Sequence, residues 1–372
     1  MSALPRHRPT RPRADMDIQN ETPFEHSLAI GLGPDREPHL GAVLKATYTI
    51  PARVGGTPEI ARTQLPVEGG DEFHRGDVTG SVRTEADNVV FKPRADIVLV
   101  GTAYAPGGTP TRQLDAGLRV GTTEQVVRVF GDRRWVFPTR LAVVPTISDP
   151  EPFVAMPLVY ERAYGGFDPK GKAWCDQNYI GRGVLGEKTR ESVDGRPLPN
   201  IEDPRALIRS WEDRPDPVGL GFYSKSWKPR ADLTGRDIEH LDPDFGLPAD
   251  FDHGFFNGAH PHLQVPGYLR GDEPVDLLNV TPDGHRRFSL PGVRPEMALD
   301  VYTAPLRDDD DPETHPRQRV PLAPVLDTLV FFPDDSVFTL VWRASRPVPR
   351  DLEAALLRVA SVRITSDLPV AV

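Results

Sequence analysis

The chain has 372 residues, 38% hydrophobic and 26% charged, with a formal net charge of −10. Those values describe a globular chain with enough apolar material for a sizeable core, and the lack of a lysine-rich block argues against nucleic acid as the main partner. A single cysteine excludes an intrachain disulfide framework and a cysteine-based zinc site, and no run of about 18 apolar residues offers a membrane span.

The chain opens with Arg6, Arg8, Arg11 and Arg13 among Pro5, Pro9 and Pro12. Residues 1–20 are expected to form a flexible, hydrated basic tail. No apolar segment follows the charges as an export signal requires, so a cytoplasmic location is expected. The 41 prolines, roughly twice ordinary usage, break long helices and favour a β-rich protein.

From 21 to 161 the sequence predicts a β meander. "HLGAVLKATYTI", "ADIVLVGTAYAP", "LRVGT" with "EQVVRVFGDRRW", and "FVAMPLVYE" are short, β-branched or aromatic, and bounded by glycine or proline. No helical pattern lies between them, which points to antiparallel pairing rather than βαβ units. From 162 to 270 strand patterning almost vanishes, leaving a long irregular insertion rich in aromatic side chains that water would not tolerate exposed. One helix is predicted there, "EDPRALIRSWEDRP", with Asp203 as N-cap and Pro204 at the first helical position. From 271 to 345 two hairpins are predicted, "VDLLNVTPDGHRRFSL" and "LDTLVFFPDDSVFTLVWRA", separated by the acidic loop "RDDDDPE". A helix at "PRDLEAALLRVA" and a tail complete residues 346–372. The expected fold is mainly β: antiparallel sheets, sandwich- or barrel-like, with few short helices, as one large domain over 21–345.

Several stretches invite a chemical reading. "GRG" at Gly181–Gly183 resembles a phosphate nest, but dinucleotide and P-loop motifs need a strand before and a helix after. A tight turn presenting Arg182 to a carboxylate or carbonyl of the same fold is the expectation, with Gly165 and Gly166 ending a strand. "ADFDHGFFNGAHPH" gathers Asp250, Asp252, His253, His260 and His262, types that ligate divalent metals. Pro261 interrupts the histidine pair, and histidines beside aromatics more often pack than ligate. Asp242, Asp244, Asp250 and Asp252 could supply a carboxylate pair for glycoside hydrolysis, though acidic loops produce such pairs by chance. No Gly-x-Ser-x-Gly elbow occurs, and Cys175 sits in ordinary loop sequence. "YLRGDE" places Arg270, Gly271, Asp272 and Glu273 just before an apolar strand, where Arg270 is expected to pair with a carboxylate and satisfy backbone carbonyls.

Taken in order, "MPLVYERAYGG", "NYIGRGV", "LPNIEDP", "PVGLGF" with "SWKPR", "LPADFDHGFFNGAHPHLQ" and "YLRGDE" resemble a bacterial family catalogued as domain of unknown function 2169. Studied members act as type VI secretion effector adaptors or chaperones. The resemblance covers about Phe24 to Ala344. It implies a non-enzymatic protein that engages the N-terminal part of a toxic effector in the cytosol and helps load it onto the spike protein. It carries over no catalytic residue, cofactor or metal ligand. His260-Pro261-His262 departs from the pattern expected before "LQ", a proline followed by an acidic residue. The motif residues, structural or partner-binding, are Glu161, Gly165, Gly166, Gly181, Arg182, Gly183, Asn200, Trp227, Phe255, Phe256, Asn257, Arg270, Gly271, Asp272 and Glu273. Two other functions fit the residues: a metal-dependent or carbohydrate-active hydrolase centred on Asp250–His262, and a structural subunit of a larger assembly.

Overall fold

Period-two alternation decides which layer each side chain of the long strands faces. In Pro38–Thr49, Leu40, Leu44 and Tyr48 enter the main core, while Val43, Lys45 and Thr47 face the other way and are equally buried. A strand covered on both faces reads as a continuous buried run, and this one also has a paired strand on each side. The computed structural model describes residues 17–168, 173–304, 311–356 and 358–367. The basic start with Arg6, Arg8, Arg11 and Arg13, and the first part of the acidic loop, lie outside those residues.

Pro38–Thr49 belongs to a six-stranded sheet ordered Gln264–Pro266, Arg94–Leu99, Val325–Phe332, Val337–Pro347, Pro38–Thr49, Glu25–Leu32. A five-stranded sheet ordered Ile201–Glu202, Thr123–Phe130, Gln113–Val120, Pro274–Leu278, His285–Ser289 packs on its inner face. Phe288 joins the two layers, its ring centroid 6.4 Å from that of Phe331 and 5.6 Å from that of Phe338. The fold is therefore mainly β and sandwich-like. Both C-terminal hairpins form as expected, the second turning through Pro333–Asp335 and Ser336 at φ 56°.

Pairing is not antiparallel throughout. Arg94–Leu99 runs parallel to Val325–Phe332, which long intervening chain permits where a hairpin would not. A third sheet, ordered Asp17–Asn20, Val359–Ser366, Pro295–Tyr302, Arg317–Leu322, also holds one parallel pair. It corrects two expectations. The C-terminal helix is confined to Leu352–Leu356, and Val359–Ser366 is a strand because Val362 and Ile364 alternate into the core with no exposed area. At the other end, Asp17–Asn20 pairs with that strand instead of belonging to the tail.

The helix expected at Glu202–Pro215 does not form. Asp203 accepts the Arg205 N–H at 2.8 Å, an Asx turn. The amides that should continue the helix are captured by other carboxylates: Glu202 takes the Ile208 N–H, and Asp213 takes those of Arg209 and Ser210, all at 2.8 Å.

The outer face of the six-stranded sheet is covered by residues 60–91 and by the insertion. Gln64 mimics a strand there, its amide bonding both the N–H and the carbonyl of Thr47. Beneath the cover a row of buried charges crosses the sheet. Lys45 pairs with Asp87 at 2.8 Å, Arg343 with Asp327, and Lys92 with Asp96 at 2.9 Å and Thr328 at 3.0 Å. Asp96 also accepts the amides of Gly258 and Ala259, so it fastens the insertion to the sheet.

Candidate functional site

The glycine motif is a junction of backbones. Tyr164–Gly165 and Arg182–Gly183 pair in parallel, so Arg182 and Gly183 form a short strand and not the tight turn the sequence suggests. Asn178, fully buried, donates from its amide to the carbonyls of Tyr160 and Tyr164. Close approach explains the glycines: a Cβ on Gly166, at φ 83°, would stand 2.2 Å from the Gly181 carbonyl oxygen. On Gly181 it would stand 2.4 Å from Asn178 Nδ2. Gly165 and Gly183 carry positive φ in the same crossing.

The motif's polar side chains radiate from this junction. Glu161 accepts the Ser81 N–H at 2.8 Å and the Ser81 hydroxyl at 2.5 Å. Its backbone carbonyl receives Arg182 Nε at 2.9 Å, so Arg182 is presented to a carbonyl as expected. Asn200, fully buried, donates to the Phe130 carbonyl and to Asp132 and accepts from Arg162 Nη1 at 3.0 Å. These bonds tie the sandwich edge to the insertion.

Arg162 and Arg182 then open onto a cleft of about 460 Å³ whose far wall is the turn bearing His74 and Arg75. Pro157 and Val159 give it an apolar side; Asp77 and Glu161 are its carboxylates. Arg75 is exposed, held at φ 59°, and has no hydrogen-bond or ion-pair partner among the described residues. Arg182 is half-buried and uses only its Nε there, leaving both terminal nitrogens without a partner among the described residues. Burial, reinforced by the neighbouring Arg162 guanidinium, pushes Arg182 below the usual arginine value. Burial likewise lowers His74 against an opposing Glu161, so at neutral pH the arginines supply the positive charge.

The other motif residues are packed inside. Trp227 is buried in a trio of edge-on rings, 5.2 Å from Tyr160 and 5.4 Å from Tyr223. Phe255 and Phe256 are half-buried and pack edge-on and tilted against Phe251. Asn257, fully buried, donates to the Arg94 carbonyl and to Asp96. Arg230 anchors the same region through Glu85 and the Phe255 carbonyl.

At "YLRGDE" the backbone anchor is Glu273; Arg270 pairs with carboxylates as expected but bonds no backbone carbonyl among the described residues. Glu273 is buried and accepts the N–H groups of Arg270 and Gly271 at 2.7 and 2.9 Å. Arg270 itself is exposed, touching Asp272 at 3.1 Å and lying 3.8 Å from Glu273. Two oxygens aimed at two adjacent amides hold a turn better than a guanidinium that water can reach.

Of the histidines of Asp250–His262, His260 and His262 are neighbours, their ring centroids 5.0 Å apart and the His262 N–H donating to His260 Nδ1, but each ring also bonds a different part of the fold. His253 contacts the Leu32 carbonyl, His260 that of Pro217, and His262 the side chain of Gln125. Asp250 accepts the amides of Arg236 and Asp237, and Asp252 that of Gly254. Among the described residues no three such side chains gather as a metal-holding group. Burial pushes the half-buried Cys175 thiol up, opposite to what an activated nucleophile needs.

Sequence reasoning missed Arg75, Asn178, Arg230 and Glu85. Asn178 and Arg230 lie inside quoted motifs, "NYIGRGV" and "SWKPR", and were legible to that extent. Arg75 and Glu85 stand in loop sequence without spacing or periodicity.

Fold and site together define a β-sandwich with an irregular insertion fastened to its outer face and an arginine-lined cleft at their junction. Residues 35–343 match the family described as "Uncharacterized protein conserved in bacteria (DUF2169)", and the chain belongs to that family. Comparison with curated proteins and with solved structures gives no match. Among the described residues no helix is long and apolar enough to cross a membrane.

Proposed function

We propose that this protein is a non-enzymatic adaptor that binds a type VI secretion effector in the cytoplasm, through its N-terminal region, and helps load it onto the spike protein. The observation that supports this most directly is how the polar motif residues are engaged. Glu161, Asn200, Asn257 and Glu273 all hold backbone together. The carboxylates and histidines of Asp250–His262 are bonded to separate parts of the fold. What remains open is a set of guanidinium donors around a cleft, a feature suited to recognition. The ordered motifs that resemble effector adaptors lie within or next to the matched span.

The test is genetic. Deleting this gene in its own bacterium should remove one toxin from the type VI secreted fraction while leaving the tube protein in that fraction. Re-expression should restore it. An unchanged secreted fraction would refute the adaptor role.

A further inference from the structure

Three roomy cavities open among the described residues; in two of them the buried cations are matched within the fold, and only exposed Arg75 and Arg94 in their walls are not. In one of about 500 Å³, Lys45 is paired with Asp87 and Arg83 contacts Asp335 at 3.4 Å. In one of about 380 Å³, Arg230 is engaged by Glu85 and by main-chain carbonyls. The 460 Å³ cleft differs. Three arginines from three separate segments converge on it, and Arg75 and both terminal nitrogens of Arg182 lack partners among the described residues. Asp77 and Glu161 offset part of this charge and Asp132 lies 3.8 Å from Arg162, but the half-buried terminal nitrogens of Arg182 have no bonded acceptor among the described residues, which an incoming anion would supply.

We propose that this cleft is a carboxylate-binding site that takes an acidic side chain of a partner peptide, with Arg75 and Arg182 gripping the carboxylate and Arg162 supporting them. The proposal rests on the adaptor reading for the identity of the partner, not for the site itself. Guanidinium forks match a planar carboxylate bidentately. Asp77 and Glu161 at the rim temper the field, which suits a singly charged carboxylate better than a doubly charged phosphate. Pro157 and Val159 offer apolar contact to the residue beside the acid. The surrounding molecule carries net charge −10 and repels an acidic segment elsewhere, so the cleft is both the attractive point and the source of register.

The test is calorimetric titration of the full chain at low ionic strength with three probes: a capped hexapeptide carrying two adjacent glutamates, its diglutamine counterpart, and inorganic phosphate. The glutamate peptide should bind and the glutamine peptide should not. Arg75→Ala should weaken binding about tenfold or more with an unchanged melting temperature, because Arg75 holds nothing else in place. Arg182→Lys, which keeps the charge but loses the fork, should also weaken it. Failure of the wild type to bind the glutamate peptide, or equal binding by Arg75→Ala, would overturn the site. Binding of phosphate in preference to the glutamate peptide would overturn the carboxylate assignment. Normal peptide binding with toxin export intact after gene deletion would leave the site standing and remove only the adaptor reading.

Discussion

Burial lowers the His260 imidazole to a pKa of about 4, with the nearby His262 adding to the fall. In the unfolded chain the same group titrates near 6.5. Protonation therefore favours the unfolded state. The stability tied to neutral His260 is fully present above pH 6.5 and is lost as pH falls towards 4, of the order of 3 kcal/mol over that interval. The melting temperature of the wild type should fall more steeply through this window than that of His260→Gln. Parallel curves would show that His260 is not buried as described. The motif residues show what sequence reveals at this scale. Residue types and their order marked Glu161, Arg182, Asn200 and Asn257 as belonging together, and each makes a bond inside the fold. Direction was not legible: nothing in "YLRGDE" says that Glu273 faces inward and Arg270 outward, because burial is decided by the segments that pack above. Arg75 left no trace, since an unpaired arginine in a loop looks like any solvated one.

At the scale of elements, the long strands and both hairpins were legible because alternation and turn chemistry are local signals. The helix expected after Asp203 was not, because Glu202 and Asp213 reach back to amides a helix would have used. Glu202 is itself held by buried Arg133, a partner 69 residues away that no local pattern announces. The row of charges beneath the cover is similarly non-local. Arg343 and Asp327 are both almost fully buried, and Arg343 also donates to the Asp87 carbonyl at 2.6 Å. Asp327→Ala would strand a buried guanidinium and should lower stability by about 3–5 kcal/mol in urea denaturation. Replacing both, Asp327→Leu with Arg343→Met, should recover most of that loss. A cost below about 1 kcal/mol for the single variant would mean that water reaches the pair.

For the whole molecule, one sandwich supports an irregular insertion whose junction with the sheets carries the motifs and the cleft. The insertion has little regular hydrogen bonding of its own, so it depends on Asp96, on Asn178 and on Arg230, itself held by Glu85, to hold its backbone. A rigid floor with a side-chain-pinned cover is an arrangement suited to receiving a peptide at the seam. The proposed receipt of a secreted toxin at the arginine cleft is tested most directly by hydrogen exchange on the full chain captured from its own bacterium with the bound toxin, compared with the chain alone. Binding at the cleft should slow exchange in residues 73–82, 157–162 and 180–183 together. A captured toxin that leaves those three segments unprotected, or capture without any toxin, would contradict it.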